Sequence, residues 1–120
     1  MTVQNMFRLA FWLLLGIILI LALIPADDAP SVSTDDKLNH ILAFFTLSFM
    51  ARLLWPRLKL AILFLLLTLL GGAIELLQLV MGFGREADWM DFGADVLAIA
   101  LGLLAAKLIG TLTSKSSTAE

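Results

Sequence analysis

Polar and ionisable residues recur at helical spacing along an otherwise apolar chain. They form three groups: Asp36, Lys37 and His40; Glu75 and Gln78; Arg85, Asp88, Asp91 and Asp95. Within each group most members lie three or four residues apart, and residues at that spacing share one face of a helix. Carboxylates, an imidazole, an amide and cations can act as acids and bases, bind anions or cations, and donate or accept hydrogen bonds.

All nine residues are candidate ligand-binding residues. The candidate catalytic residues are Glu75, His40 and Asp91, with Glu75 as a general base that His40 or Asp91 assists. Lys37 and Arg85 are candidate contacts to a phosphate, to which the guanidinium group of Arg85 is well suited.

Each of these residues also has a structural interpretation. Glu75 and Gln78 can form an interhelical hydrogen-bond pair. Lys37 and Arg85 can balance neighbouring acids, and His40 can cap or pack near the membrane interface. The three aspartates of the last group can interact favourably with the dipole at the start of a helix.

A histidine beside several carboxylates would suit Zn²⁺ or another divalent cation. His40 is, however, the single histidine of a chain without cysteine. We therefore predict no metal and no cofactor. The lack of cysteine also excludes disulfides and cysteine catalysis.

The composition indicates a membrane protein that forms one domain over residues 1–120. Hydrophobic residues make up 61% of the chain and charged residues 15%, against about 25% charged residues in soluble domains. The mean hydropathy is +1.00. A net charge of -2 argues against nucleic-acid binding, which needs a basic surface.

Four segments are long and apolar enough to be membrane-spanning helices, each of which needs about 20 residues. We predict helices over residues 7–24, 37–55, 58–81 and 89–109. Pro25, Pro56 and the glycines of 82–84 mark the breaks between them. The predicted fold is all-α, a four-helix transmembrane bundle. We expect the first segment to be retained, because its apolar run is longer than that of a signal peptide.

The distribution of basic residues predicts that both termini are cytoplasmic. With four spans, six of the eight lie on the side of the termini: Arg8, Arg52, Arg57, Lys59, Lys107 and Lys115. Only Lys37 and Arg85 lie on the other side, and loops rich in Lys and Arg stay inside.

The three polar groups then fall at the outer end of the bundle, with Glu75 about 9 Å below the end of its helix. A carboxylate at this depth needs partners, so we predict an outward-opening polar pocket.

The order and spacing of these motifs resemble the VanZ-like family. The resemblance rests on Asp36-Lys37-x-x-His40, Glu75-x-x-Gln78 and Arg85-x-x-Asp88-x-x-Asp91 followed by Asp95, and it runs from about Asp36 to Gly102. Family members usually carry Asn where Asp95 stands and Gly where Ala98 stands. The family takes its name from a protein linked to teicoplanin resistance. The resemblance implies a bacterial cell-envelope protein and no particular reaction.

Three functions follow from these observations. We favour a multi-pass protein of the bacterial cytoplasmic membrane that binds an envelope lipid headgroup or peptidoglycan precursor and contributes to glycopeptide resistance. The alternative is an outer-leaflet enzyme with Glu75 as general base. Transport is less favoured, because transporter sites usually lie near the membrane midplane. Membrane lipids are the expected partners, nucleic acid is not, and the oligomeric state stays open.

Overall fold

The chain folds into four helices and, in the described residues, no strand. The computed structural model describes residues 1–24, 36–81 and 89–119, with side chains for 1–24, 37–81 and 89–113. The helices are α1 Val3–Leu23, α2 Asp36–Leu54, α3 Leu60–Met81 and α4 Trp89–Ala119. The all-α, four-helix prediction is confirmed.

Helix α1 has a capped start and a proline-determined end. The Thr2 hydroxyl accepts a hydrogen bond from the Asn5 amide at 3.1 Å, so the helix begins at Val3 rather than at the predicted residue 7. Ile24 has φ −74° and ψ 160°, the extended conformation that a following proline favours.

Helix α4 continues to Ala119, well past the predicted end near residue 109. The hydroxyls of Thr111 and Thr113 donate to the carbonyls of Lys107 and Ile109 at 2.9 and 2.8 Å. These hydroxyls bond to carbonyls four residues earlier in the same helix, so they are satisfied without ending it.

Successive helices run in opposite directions. At one end of the bundle, Gln4 and Arg8 of α1 donate to the carbonyl of Leu54, the last residue of α2, at 3.3 and 3.0 Å. At the other end, the Gln78 amide of α3 donates to the Ala22 carbonyl of α1 at 2.8 Å. Helix α2 packs against each of the other three, and its contact with the parallel helix α4 is the most extensive.

Three helices are long and apolar enough to cross a membrane: Val3–Leu23, Leu60–Met81 and the Trp89–Thr113 part of α4. Helix α2 carries more polar residues, and like α3 it contacts each of the other three helices. The core between the helices includes Phe44, Leu47, Ile74 and Ile99, each at most 1% exposed, whereas many leucines on the outside are about half exposed. An apolar exterior of this extent suits lipid rather than water.

Small residues bring α2 and α4 into backbone contact. Ala98, Gly102 and Ala106 recur every four residues on α4, and all three are buried. A Cβ atom at Gly102 would overlap the Ser48 hydroxyl and lie 2.7 Å from the Phe45 carbonyl oxygen. Small residues at this spacing allow membrane helices to approach closely.

We expect Gly102→Ala to lower the free energy of unfolding by about 1–3 kcal/mol, because the added methyl group overpacks the α2–α4 contact. Gly110→Ala is the matched control, since a Cβ there meets nothing within 4 Å and alanine favours a helix interior over glycine by up to about 1 kcal/mol, so this change should not lower stability. Reversible unfolding in mixed micelles measures both values. Equal effects of the two substitutions would contradict the close approach.

Candidate functional site

Three ionisable side chains from three helices meet inside the bundle. His40 of α2, Glu75 of α3 and Asp95 of α4 each place one nitrogen or oxygen atom within 4.8 Å of the others. Their exposed fractions are 9%, 1% and 0%. We refer to these three residues as the buried cluster.

The imidazole of His40 faces both carboxylates through one ring nitrogen. Its Nδ1 lies 3.0 Å from Asp95 Oδ1 and 3.3 Å from Asp95 Oδ2. The same nitrogen lies 3.9 Å from Glu75 Oε1. When Asp95 is ionised its carboxylate can only accept, so Nδ1–H is then the donor, and this hydrogen bond orients the ring.

The helices position the cluster through close contacts made possible by glycine. About two turns along α2 and α4 from His40 and Asp95, Gly102 lets the two backbones touch. On α3, a Cβ at Gly71 would lie 3.3 Å from Asp95 Oδ2. Gly71 is four residues from Glu75 and therefore on the same face of α3, where it leaves room for the Asp95 carboxylate.

The net charge of the three residues depends on their protonation. If both carboxylates are ionised, the imidazole offsets at most one of them, and only when it is itself protonated. Buried charges are strongly unfavourable unless they are paired and hydrogen-bonded. The arrangement can therefore hold a proton, act as a base, or bind a cation or a group rich in hydrogen-bond donors.

The other predicted residues lie around this cluster or outside the described part of the chain. Gln78 is buried and binds the Ala22 carbonyl of α1, which agrees with a structural role. Asp91 is buried one turn before Asp95 on α4, and Lys37 is partly exposed one turn before His40 on α2.

Three predicted ligand residues are not tested. The side chain of Asp36 and the whole of Arg85 and Asp88 lie outside the described residues. A groove in the described part of the chain lies away from the cluster, at the opposite end of the bundle. Its volume is about 510 Å³, and its basic lining residues are Arg52 and Lys107.

The sequence analysis does not predict the direct contact between His40 and Asp95, because it groups Asp95 with the acids of its own helix. The positions of the two residues within their helices nevertheless indicate this contact. His40 is the fifth residue of α2 and Asp95 the seventh of α4. In an alternating four-helix bundle, α2 and α4 run in the same direction, so these residues lie at similar depth.

We expect His40 and Asp95 to be energetically coupled. His40→Leu and Asp95→Leu should together be less destabilising than the sum of the single substitutions, by about 0.5–3 kcal/mol, because each single change leaves a buried charged group without its partner. A double-mutant cycle in mixed micelles measures the difference.

The matched control pairs Asp95→Leu with Ser48→Ala. Ser48 is fully buried on α2 and lies about 12 Å along the helix from His40, so the two changes should add. Additivity for His40 and Asp95 as well would show that the 3.0 Å contact has no energetic consequence.

Comparison with known proteins finds no match. No protein-family model, no curated protein and no solved structure matches this chain. Its function is therefore inferred from its own residues and their geometry.

Proposed function

We propose that this chain is a multi-pass protein of a bacterial cytoplasmic membrane that binds the headgroup of an envelope lipid, or of a lipid-linked peptidoglycan precursor, at the buried cluster. All four helices cross the membrane in this proposal. The 19 residues of α2 span about 28 Å, close to the thickness of the hydrocarbon core.

The convergence of three ionisable side chains in an apolar bundle is the observation that carries this proposal. Inserting one ionised carboxylate at the centre of a membrane helix costs about 2.5–3.5 kcal/mol on insertion scales. An interhelical hydrogen bond in a membrane returns only about 0.6 kcal/mol on average. Structural stabilisation alone is therefore a weak reason to retain the cluster, whereas a binding function is a sufficient one.

The basic residues support an extracytoplasmic position for the cluster. Arg8 and Arg52 lie at the end of the bundle where α1 begins and α2 ends. Arg57 and Lys59 follow in the adjoining turn. By the positive-inside rule this end is cytoplasmic, and the cluster at the other end lies beneath the outer headgroups.

The chemistry of the cluster favours a headgroup with many hydrogen-bond donors. Glu75 and Asp95 present carboxylate oxygens, which accept hydrogen bonds when ionised. Sugar hydroxyls, amides and ammonium groups can satisfy these oxygens. Lys37, one turn from His40, can contact the phosphate that joins such a headgroup to its lipid.

The resemblance to the VanZ-like family supports the same setting. Among the residues that carry it, His40, Glu75 and Gln78 are buried at this end of the bundle, and Asp91 is buried beside them on α4. In this proposal the chain contributes to glycopeptide resistance by binding the lipid-linked precursors that these antibiotics recognise.

We expect Glu75→Gln and Asp95→Asn to reduce co-purification of envelope lipids by about tenfold, the effect of about 1.4 kcal/mol of lost binding energy. Native mass spectrometry of the chain released from nanodiscs made with bacterial lipid extract measures lipid retention. Ser48→Ala is the control, because it alters a buried polar residue away from the cluster. An unchanged lipid profile in both cluster variants would refute headgroup binding there.

The contact between His40 and Asp95 favours one alternative, an enzyme acting at the outer leaflet. A carboxylate that holds the Nδ1–H of a histidine orients the ring for general-base catalysis. In this geometry the base is His40, with Glu75 3.9 Å from its Nδ1, rather than Glu75 alone.

The enzyme alternative predicts a new product when the purified chain is incubated with lipid-linked envelope precursors. Formation of the product should fall by at least about 100-fold in His40→Gln and in Glu75→Gln, as expected for loss of a general base, and should persist in Ser48→Ala. Thin-layer chromatography and mass spectrometry detect the product. A panel of precursors that remains unchanged would rule against catalysis.

A further inference from the structure

We propose that His40, Glu75 and Asp95 form a binding site for one divalent cation of the Zn²⁺ or Mn²⁺ class. The site uses the same carboxylates that the proposed function assigns to headgroup binding, but its three protein ligands require no lipid. From the sequence, which offers one histidine and no cysteine, we predict no metal at His40. The structure adds two carboxylates, from two other helices, that face the same ring nitrogen.

The distances suit a single ion. Measured from His40 Nδ1, the nearest carboxylate oxygens lie 3.0 Å away on Asp95 and 3.9 Å away on Glu75, and all three ligand atoms fall within 4.8 Å. Around a tetrahedral Zn²⁺ with bonds of about 2.0–2.2 Å, neighbouring ligand atoms are about 3.3–3.6 Å apart. The separations of 3.0 and 3.9 Å from His40 Nδ1 lie on either side of that range.

The charges suit a divalent ion. With a neutral imidazole and two ionised carboxylates, the protein part of the site carries a charge of −2. One divalent cation makes the whole site neutral, which is the favourable condition inside an apolar bundle. Protonation of His40 offsets only half of that charge.

The ligand types narrow the choice of metal. Imidazole nitrogen suits Zn²⁺ and other transition metals, while Ca²⁺ and Mg²⁺ prefer oxygen ligands. Ligands from facing helices build metal sites in the cores of other helical bundles. Three protein ligands also leave a coordination position open, as in catalytic zinc sites, and a water or a headgroup oxygen can occupy it.

The packing around the cluster is compatible with this role. Each of the three ligands comes from a different helix, and all are buried. Gly71 leaves the space that the Asp95 carboxylate occupies. A cation held between α2, α3 and α4 would tie together the three helices that surround it.

The test uses the full chain, purified in detergent with a tag free of histidine, treated with EDTA and then dialysed against Zn²⁺, Mn²⁺ or Co²⁺ separately. Elemental analysis should find about one bound ion per chain for each of the three metals, with Co²⁺ giving visible absorption bands. Glu75→Gln and Asp95→Asn should each lower metal affinity by at least about tenfold, since even changes in outer-sphere partners have effects of about 10–100-fold. Ser48→Ala should bind normally.

A second measurement does not depend on the folding of variants. His40 is the only histidine, so ¹⁵N-histidine labelling reports on it alone, and Zn²⁺ should shift its Nδ1 resonance. Substoichiometric binding, equal binding in all variants, or an unmoved Nδ1 resonance would each overturn the cation site. Lipid retention by the EDTA-treated chain is measured separately, so loss of metal binding with normal lipid retention refutes only the cation.

Discussion

The contact between His40 and Asp95, with Glu75 beside it, is the interaction on which the site and its functional interpretation depend. All three side chains are buried, so most of their partners must lie within the bundle. A 3.0 Å hydrogen bond holds the imidazole to Asp95. Ionisable groups inside a membrane bundle are unfavourable unless paired and are usually functional, and for this reason the proposed function is assigned to this cluster.

The rest of the fold maintains this contact. Gly102 allows α2 and α4 to touch at the backbone, and Gly71 makes room on α3 for the Asp95 carboxylate. Gln78 ties α3 to α1 at the same end of the bundle, and Arg8 ties α1 to α2 at the other. Helix α1 contributes no residue to the cluster, and it contacts α2 and α3. These contacts bring the three side chains of the cluster together inside a bundle whose exterior is mostly apolar.

Hydropathy and helix-breaking residues were sufficient to predict four helices, because length and apolar content dominate membrane segments. Helix ends were less predictable: a threonine cap extends α1, and Ser/Thr-rich residues continue α4 to Ala119. Spacing alone selected His40, Glu75 and Asp95 among the candidate ligands. It could not identify which side chains touch, since side chains on three different helices meet only as the helix rotations and the glycine contacts dictate. Gln78 illustrates this, because the same spacing that placed it beside Glu75 left its carbonyl partner on α1 unpredicted.

The most direct test of the account is the distance between the His40 imidazole and the Asp95 carboxyl group in a lipid bilayer. Chain labelled with ¹⁵N-histidine and ¹³C-carboxyl aspartate contains one histidine, so solid-state NMR dipolar recoupling in liposomes gives an unambiguous reading. The account predicts strong coupling between Nδ1 and an aspartate carboxyl carbon within about 4 Å, as the hydrogen bond requires, and its loss in Asp95→Asn. No coupling, or coupling that persists in Asp95→Asn, would contradict it.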